Sequence, residues 1–244
     1  MASATTKYGG SPAGSLKARS PNGTHPTEVT VTGLPDLPPE AFAKQDRTPD
    51  ALFYAQPRFV THIDDAAIAA VTGLYRRLLP PGGRILDLMS SWVSHLPAEA
   101  AYGAVTGHGL NAQELAANPR LTHRFVQDLN VDPSLPLETA SVDAALICVG
   151  VQYLQNPVAV LREVARVLVP GAPVVITFSN RCFLTKAVAI WRAVGGEDHA
   201  RLVALYLRYA GFTSVEAQTL LLERGPSDPL EAVIGRTSPR ADHT

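Results

Sequence analysis

The chain has 244 residues, a formal net charge of −1 and 46% hydrophobic residues. That length holds one domain with an extension, and the apolar content is enough for a full core. Near-neutral charge gives no polyanion-binding footprint, so nucleic acid is not expected as a partner. No run of about 18 apolar residues occurs, so no membrane-spanning segment is expected. The two cysteines, Cys148 and Cys182, lie far apart, and Cys148 sits in the apolar run 144–149, which suits a core thiol better than half a disulfide.

Residues 1–38 are rich in Ser, Thr, Gly, Ala and Pro, and their first acid is Glu28. Such a segment cannot bury enough surface to order itself and reads as a disordered tail. Its acid-poor composition also fits an organellar transit peptide, although Lys7, Lys17 and Arg19 are its only cations apart from His25. A cytoplasmic location is the first expectation and an organellar one the alternative.

Ordered structure is expected from residue 39 to about 240. Residues 66–79 read as a helix capped by Asp64 or Asp65, with Ile68, Val71, Leu74 and Leu78 on one face, and Pro80-Pro-Gly-Gly83 ends it. Strands are expected at 84–88, 104–107, 124–127, 142–149 and 174–178, with helices at 112–118, 158–168, 184–194 and 198–209. Two final strands, 213–223 and 230–236, are joined by a turn at 225–228. Alternating strands and helices imply parallel pairing with right-handed crossovers, and the last two strands imply a hairpin. The fold class is therefore α/β: a Rossmann-like, doubly wound, seven-stranded sheet with a C-terminal antiparallel hairpin.

The segment Arg84-Ile-Leu-Asp-Leu-Met-Ser-Ser-Trp92 is a buried strand ending in an acid and followed by a sharp turn. In doubly wound sheets that is where a nucleotide-containing cofactor docks. Farther along lie Val126-Gln-Asp-Leu-Asn130, Leu135-Pro-Leu137, Ser141-Val-Asp-Ala144, Val151-Gln-Tyr-Leu154 and Leu161-Arg-Glu-Val-Ala-Arg-Val-Leu-Val-Pro-Gly171. Together these blocks resemble class I S-adenosylmethionine (SAM) dependent methyltransferases of the type 11 kind. Residues 90–97 and 178–183 look like a subgroup in which Ser-Ser-Trp-Val-Ser-His-Leu-Pro replaces the glycine-rich loop.

The resemblance implies SAM as cofactor and assigns roles by position. Asp87 orients the loop and meets the methionine amine; Met89, Ser90 and Ser91 stand where the family has its loop. Gly107, Gly109, Leu110 and Asn111 occupy the end of the second strand. The family's ribose-gripping acid is replaced there by Gly109, so Gly109→Asp is expected to restore a clamp. Asn111 either compensates or caps the following helix. Asp128 corresponds to the acid that accepts from the adenine amine, with Leu129 beside the ring and Gly150 closing over the adenosine. Pro97 shortens the helix expected after the loop.

The acceptor side is expected from a lid segment at about 39–64 and from the end of the fifth strand: Tyr54, Arg58, Trp92, Gln152, Tyr153, Asn180 and Arg181. Arg58 and Arg181 suit a carboxylate or phosphate. Methyl transfer needs alignment and sometimes removal of a proton, and His62 and His95 are the candidate catalytic bases. The pattern G-x-S-x-G is missing, which disfavours a hydrolytic Ser–His–Asp arrangement around Ser94, His95 and Asp87. No spacing resembles a zinc site, and G-x-G-x-x-G is missing too. The expected activity is SAM-dependent methylation of a small molecule. The alternative is a methyltransferase-like protein that binds a metabolite without transferring methyl groups; an RNA substrate is disfavoured by charge.

Overall fold

A computed structural model describes residues 6–7, 34, 37–222 and 227–239. Most of the tail expected at 1–38, and residues 223–226 of the last expected connection, lie outside the described residues.

Seven strands form one sheet: β1 (Arg84–Leu88), β2 (Ala104–Gly109), β3 (His123–Val126), β4 (Ala144–Cys148), β5 (Pro173–Ser179), β6 (Ser214–Leu221) and β7 (Leu230–Arg236). Their spatial order is β3-β2-β1-β4-β5-β7-β6. The first five pair in parallel, and β7 joins β5 and β6 antiparallel. This is the doubly wound sheet with a terminal hairpin that the alternating pattern predicts. Besides it, Thr6–Lys7 pairs antiparallel with Arg181–Cys182.

Burial on both faces explains why β4 and β5 read as apolar runs rather than alternating ones. Successive side chains still point to opposite sides. Leu86, Leu88, Ala145 and Ile147 enter the core that holds Val160, Leu161 and Val164. Ile85, Ala144 and Leu146 enter the other, with Val71, Leu74 and Tyr75. The helices are α1 (Asp50–Phe53), α2 (Asp65–Leu78), α3 (Ala112–Ala117), α4 (Pro157–Val167), α5 (Ala189–Ala193) and α6 (Glu197–Tyr209). Asp64 caps α2 by accepting from the Ala67 amide at 2.9 Å. The face α2 buries is Ala67, Val71, Leu74 and Tyr75, with Ile68 and Leu78 at its margins.

Two helical expectations change. The segment expected as a helix at 184–194 is helical only over α5. Its first half is held instead by Lys186, whose fully buried ammonium reaches the Thr48 carbonyl at 2.6 Å and sits 3.3 Å from Asp46 and Asp50. The second change lies after β1. Residues 89–103 contain no helical turn, so the helix is lost rather than shortened. Met89 and His95 take positive φ, 55° and 50°, a left-handed conformation that an α-helix cannot propagate, and Pro97 adds a missing donor.

Candidate functional site

In open α/β sheets, ligands dock beyond the carboxyl ends of the strands where the strand order reverses. Here that point lies between β1 and β4, and a cavity of about 130 Å3 opens there. Its walls come from the 89–95 loop, the ends of β2 to β4, the 50–62 segment, and residues 181–183.

The loop after β1 is fixed by the groups beneath it. His108 is buried, and its Nδ1 accepts from the Met89 amide at 3.1 Å. Its Nε2 faces the Gln127 carbonyl at 2.8 Å. An amide can only donate and a carbonyl only accept, so the imidazole is neutral with its proton on Nε2. Burial agrees, lowering the His108 pKa to about 4. The Ser90 amide donates to the His108 carbonyl at 2.6 Å. The loop thus lies directly on the end of β2.

Two buried carboxylates face this loop, and its serines serve them. Ser90 Oγ donates to Asp87 at 2.7 Å, and Ser91 Oγ donates to Glu114 at 2.8 Å. Burial raises the Asp87 pKa to about 6 even though Ser90 and Ser94 stabilise the anion. Asn118 donates to Ser94 Oγ at 2.8 Å and to the Ser91 carbonyl at 3.0 Å, pinning the outer part of the loop.

The first turn of α3 holds the segment opposite. Asn111 caps α3 by accepting from the Gln113 and Glu114 amides at 2.9 and 3.1 Å. Its side-chain amide donates to the Tyr54 and Ala55 carbonyls at 2.9 and 3.2 Å. Glu114 accepts from the Arg58 amide at 2.7 Å. Asp50 forms a buried ion pair with Lys44 and accepts from the Asn130 amide group at 3.0 Å. The Asn130 backbone amide in turn donates to Asp128 Oδ1 at 2.9 Å.

Most of the residues expected at the site line this one cavity. They are Asp87, Met89, Ser90, Ser91, Gly109, Leu110, Asn111, Asp128, Leu129 and Gly150 on one side. Tyr54, Arg58, His62, His95, Tyr153 and Arg181 line the other. Both histidines are depressed by burial, His95 to about 4 with His62 adding repulsion. The shift leaves His95 neutral at pH 7 and makes both rings weaker bases than a free imidazole.

Other expectations are corrected. Gly107 faces away from the cavity: a Cβ there would lie 2.3 Å from Leu121, so its smallness serves packing. Gln152 is buried and spends its amide on the Val149 carbonyl, and it does not line the cavity. Neither does Asn180. Trp92 also lies outside it, donating to the Val60 carbonyl at 3.1 Å and packing edge-on to Phe59. Asn111 is committed to its cap and to the 54–55 carbonyls rather than left for a ligand. Arg181 is ion-paired with the fully buried Asp228 at 2.6 Å, so it is not a ready anion site. A Cβ on Gly109 would meet the Ser90 carbonyl at 2.6 Å, so an acid cannot be restored there without moving the loop.

Sequence reading missed His108, Glu114, Asp50 and Phe183 as lining residues. Glu114 carried a weak signal, an acid near the start of a short helix. His108 lay between two glycines already read at the end of the second strand, and Asp50 and Phe183 gave no signal, because only the fold brings them to the strand ends.

No group of three or more potential metal ligands occurs among the described residues, and no described helix is long and apolar enough to cross a membrane. The family model described as a methyltransferase domain matches residues 91–176. No curated protein matches the chain in sequence. Among solved structures, a chain from the Haloferax volcanii complex between the Trm112 methyltransferase activator and a methyltransferase is 16% identical. That match covers 71% of this chain and 91% of the other, at a TM-score of 0.55. The [4+2]-cyclase SpnF is 17% identical, over 76% and 90%, at 0.56. A SAM dependent methyltransferase from Aquifex aeolicus is 17% identical, over 70% and 90%, at 0.51. At these identities the likeness is one of fold.

Proposed function

We propose that this protein transfers a methyl group from SAM to a small-molecule acceptor. The observation that carries the reading is a single cavity at the switch point that gathers Asp87, Asp128, Leu129 and Gly150 with His62 and His95. The donor set fits the two ends of SAM. Asp128, half-exposed to the cavity, is placed to accept from a nucleoside amine, with Leu129 beside it as an apolar wall. Asp87 is a buried acid suited to an ammonium group. The ribose clamp is missing, and its place is taken by the Ser90 carbonyl.

When bound, SAM supplies a methyl group activated by its sulfonium. The chain's part is alignment and exclusion of water. Phe183, Tyr153 and Tyr54 wall the acceptor end, and His62 or His95 takes the proton of an acceptor O–H or N–H. A cavity of about 130 Å3 is small beside the ~300–1,000 Å3 usual for ligand pockets. A ligand of SAM's size needs more room than this, and the 54–62 segment is the wall we propose moves to provide it.

A second reading, a domain that binds a metabolite without methyl transfer, draws on the loop packed down on β2 and on the cyclase SpnF, whose fold is similar. Calorimetric titration with SAM and S-adenosylhomocysteine separates the two. The first reading expects dissociation constants below about 1 mM and a roughly tenfold loss in Asp128→Ala. If neither compound binds, the second reading stands and the first falls.

A further inference from the structure

Arg58 is built into the cavity wall as a half-satisfied cation. Its Nη2 donates to the Phe53 carbonyl at 2.9 Å. The guanidinium carbon lies 4.7 Å from the centre of the Phe53 ring, 5.5 Å from Phe183 and 5.6 Å from Tyr54. Its backbone amide is tied to Glu114. These contacts fix the plane of the group, yet Nη1 is buried and has no hydrogen-bond partner.

The carboxylates that line the cavity are held by other groups. Asp50 faces Lys44, Lys186 and Asn130. Asp87 has Ser90, Glu114 has Ser91 and the Arg58 amide, and Asp128 has the Asn130 amide. The second guanidinium at the cavity, Arg181, is paired with Asp228. A buried N–H of a charged group without an acceptor is costly, and aromatic faces offset that only in part.

We infer that Arg58 is a binding subsite for a carboxylate at the lid end of the cavity. Carboxylate is favoured over phosphate by two observations. Glu114 stands beside the site, so a second negative charge on the ligand would be repelled. The cavity is also small and walled by Phe183, Tyr54 and Val60. The inference deepens the reading above and rests on it for the owner of the carboxylate: either the acceptor or the aminoacyl end of the methyl donor. Both present the same group, and the subsite is defined by Arg58 in either case.

Calorimetry on the full chain tests this with three probes: S-adenosylhomocysteine, 5′-methylthioadenosine (the same nucleoside thioether without the amino-acid end) and benzoate. Each is titrated into wild type, Arg58→Gln and Arg58→Lys. Arg58→Gln is expected to weaken a carboxylate-bearing probe ~10- to 100-fold and leave 5′-methylthioadenosine unchanged. A loss confined to S-adenosylhomocysteine assigns the carboxylate to the donor. A loss confined to benzoate, added to protein saturated with S-adenosylhomocysteine, assigns it to the acceptor. Arg58-dependent benzoate binding without any nucleoside binding upholds the subsite and removes SAM from the function. The inference is overturned if neither carboxylate probe binds wild type, or if Arg58→Gln leaves both within about twofold. Should Arg58→Gln fail to fold, Arg58→Lys serves alone: it keeps the charge but loses the planar fork, and unchanged carboxylate affinity there also overturns the inference.

Discussion

Gly109 stands where the resembling family has its ribose-gripping acid, and restoring that acid looks from sequence like a gain of function. Geometry predicts a loss. A Cβ at this position would sit 2.6 Å from the Ser90 carbonyl oxygen and 3.3 Å from Leu115 Cδ2. The first contact is with backbone that cannot rotate away, because the Ser90 amide is bonded to the His108 carbonyl and Met89 to the His108 ring. Overpacking of this kind costs about 1–3 kcal/mol. At roughly 2–4 °C per kcal/mol for a domain of this size, Gly109→Ala should melt about 2–12 °C below wild type. Gly109→Asp should melt lower still, because it adds a carboxylate close to an oxygen that can only accept. Differential scanning calorimetry, with S-adenosylhomocysteine titration alongside, measures both effects. A Gly109→Asp protein as stable as wild type, binding the nucleoside more tightly, would refute this account of the loop.

Asp87 sets a pH dependence. Its folded pKa, about 6, lies above the ordinary carboxylate value of 3.8. Between those values the folded state holds a proton that the unfolded state has released, so stability falls as pH rises from about 4 to 6 and is level above. Two units correspond to about 3 kcal/mol, and Asp87→Asn should recover a good part of it at pH 8 and little at pH 4 in urea melts. A wild-type-like urea midpoint for Asp87→Asn at pH 8 would contradict the burial argument. His108 and His95, both near 4, act in the opposite direction. The unfolded chain binds their protons first, so stability is lost as pH falls from about 6.5 to 4; replacing His108 by Gln should flatten that limb in acid titrations followed by circular dichroism. Lys186→Met removes one cation from the buried cluster with Lys44, Asp46 and Asp50. Breaking a buried charge network costs about 3–5 kcal/mol, readable from the same urea midpoints. Asn111→Ala should cost about 1–2 kcal/mol through its cap and speed amide exchange over residues 54–58.

The sheet was legible because its information is local. Ala144–Ile147 and Val174–Ile176 are apolar without alternation, as strands covered by helices on two faces are. The site was legible only where one residue marks a strand end. Asp87 and Asp128 could be placed at the carboxyl ends of strands, but the partners that give them meaning come from elsewhere: Ser94 from an irregular loop, Asn130 through its own backbone. Asp50 lies 80 positions from the Asn130 it accepts from, and no periodicity connects them. The missing helix after β1 shows the same limit. Pro97 predicts a shorter helix; the positive φ at Met89 and His95 removes it altogether, and at Met89 it accompanies docking on His108.

This docking gives the serines a different purpose from the one their position suggests. In a glycine loop, missing side chains let a ligand approach the backbone. Here Ser90 and Ser91 turn their hydroxyls onto Asp87 and Glu114, doing for two buried carboxylates what water or a ligand would do elsewhere. The Ser90 carbonyl meanwhile fills the space in front of Gly109, and Met89 packs against Gly150, where a Cβ would meet its side chain at 2.9 Å. The loop is thus internally satisfied, and Asn111 and Glu114 hold the backbone of residues 54–58. A ligand that binds must replace those hydrogen bonds rather than merely enter. Such a site favours ligands that bring their own cation for Asp87 and their own anion for Arg58.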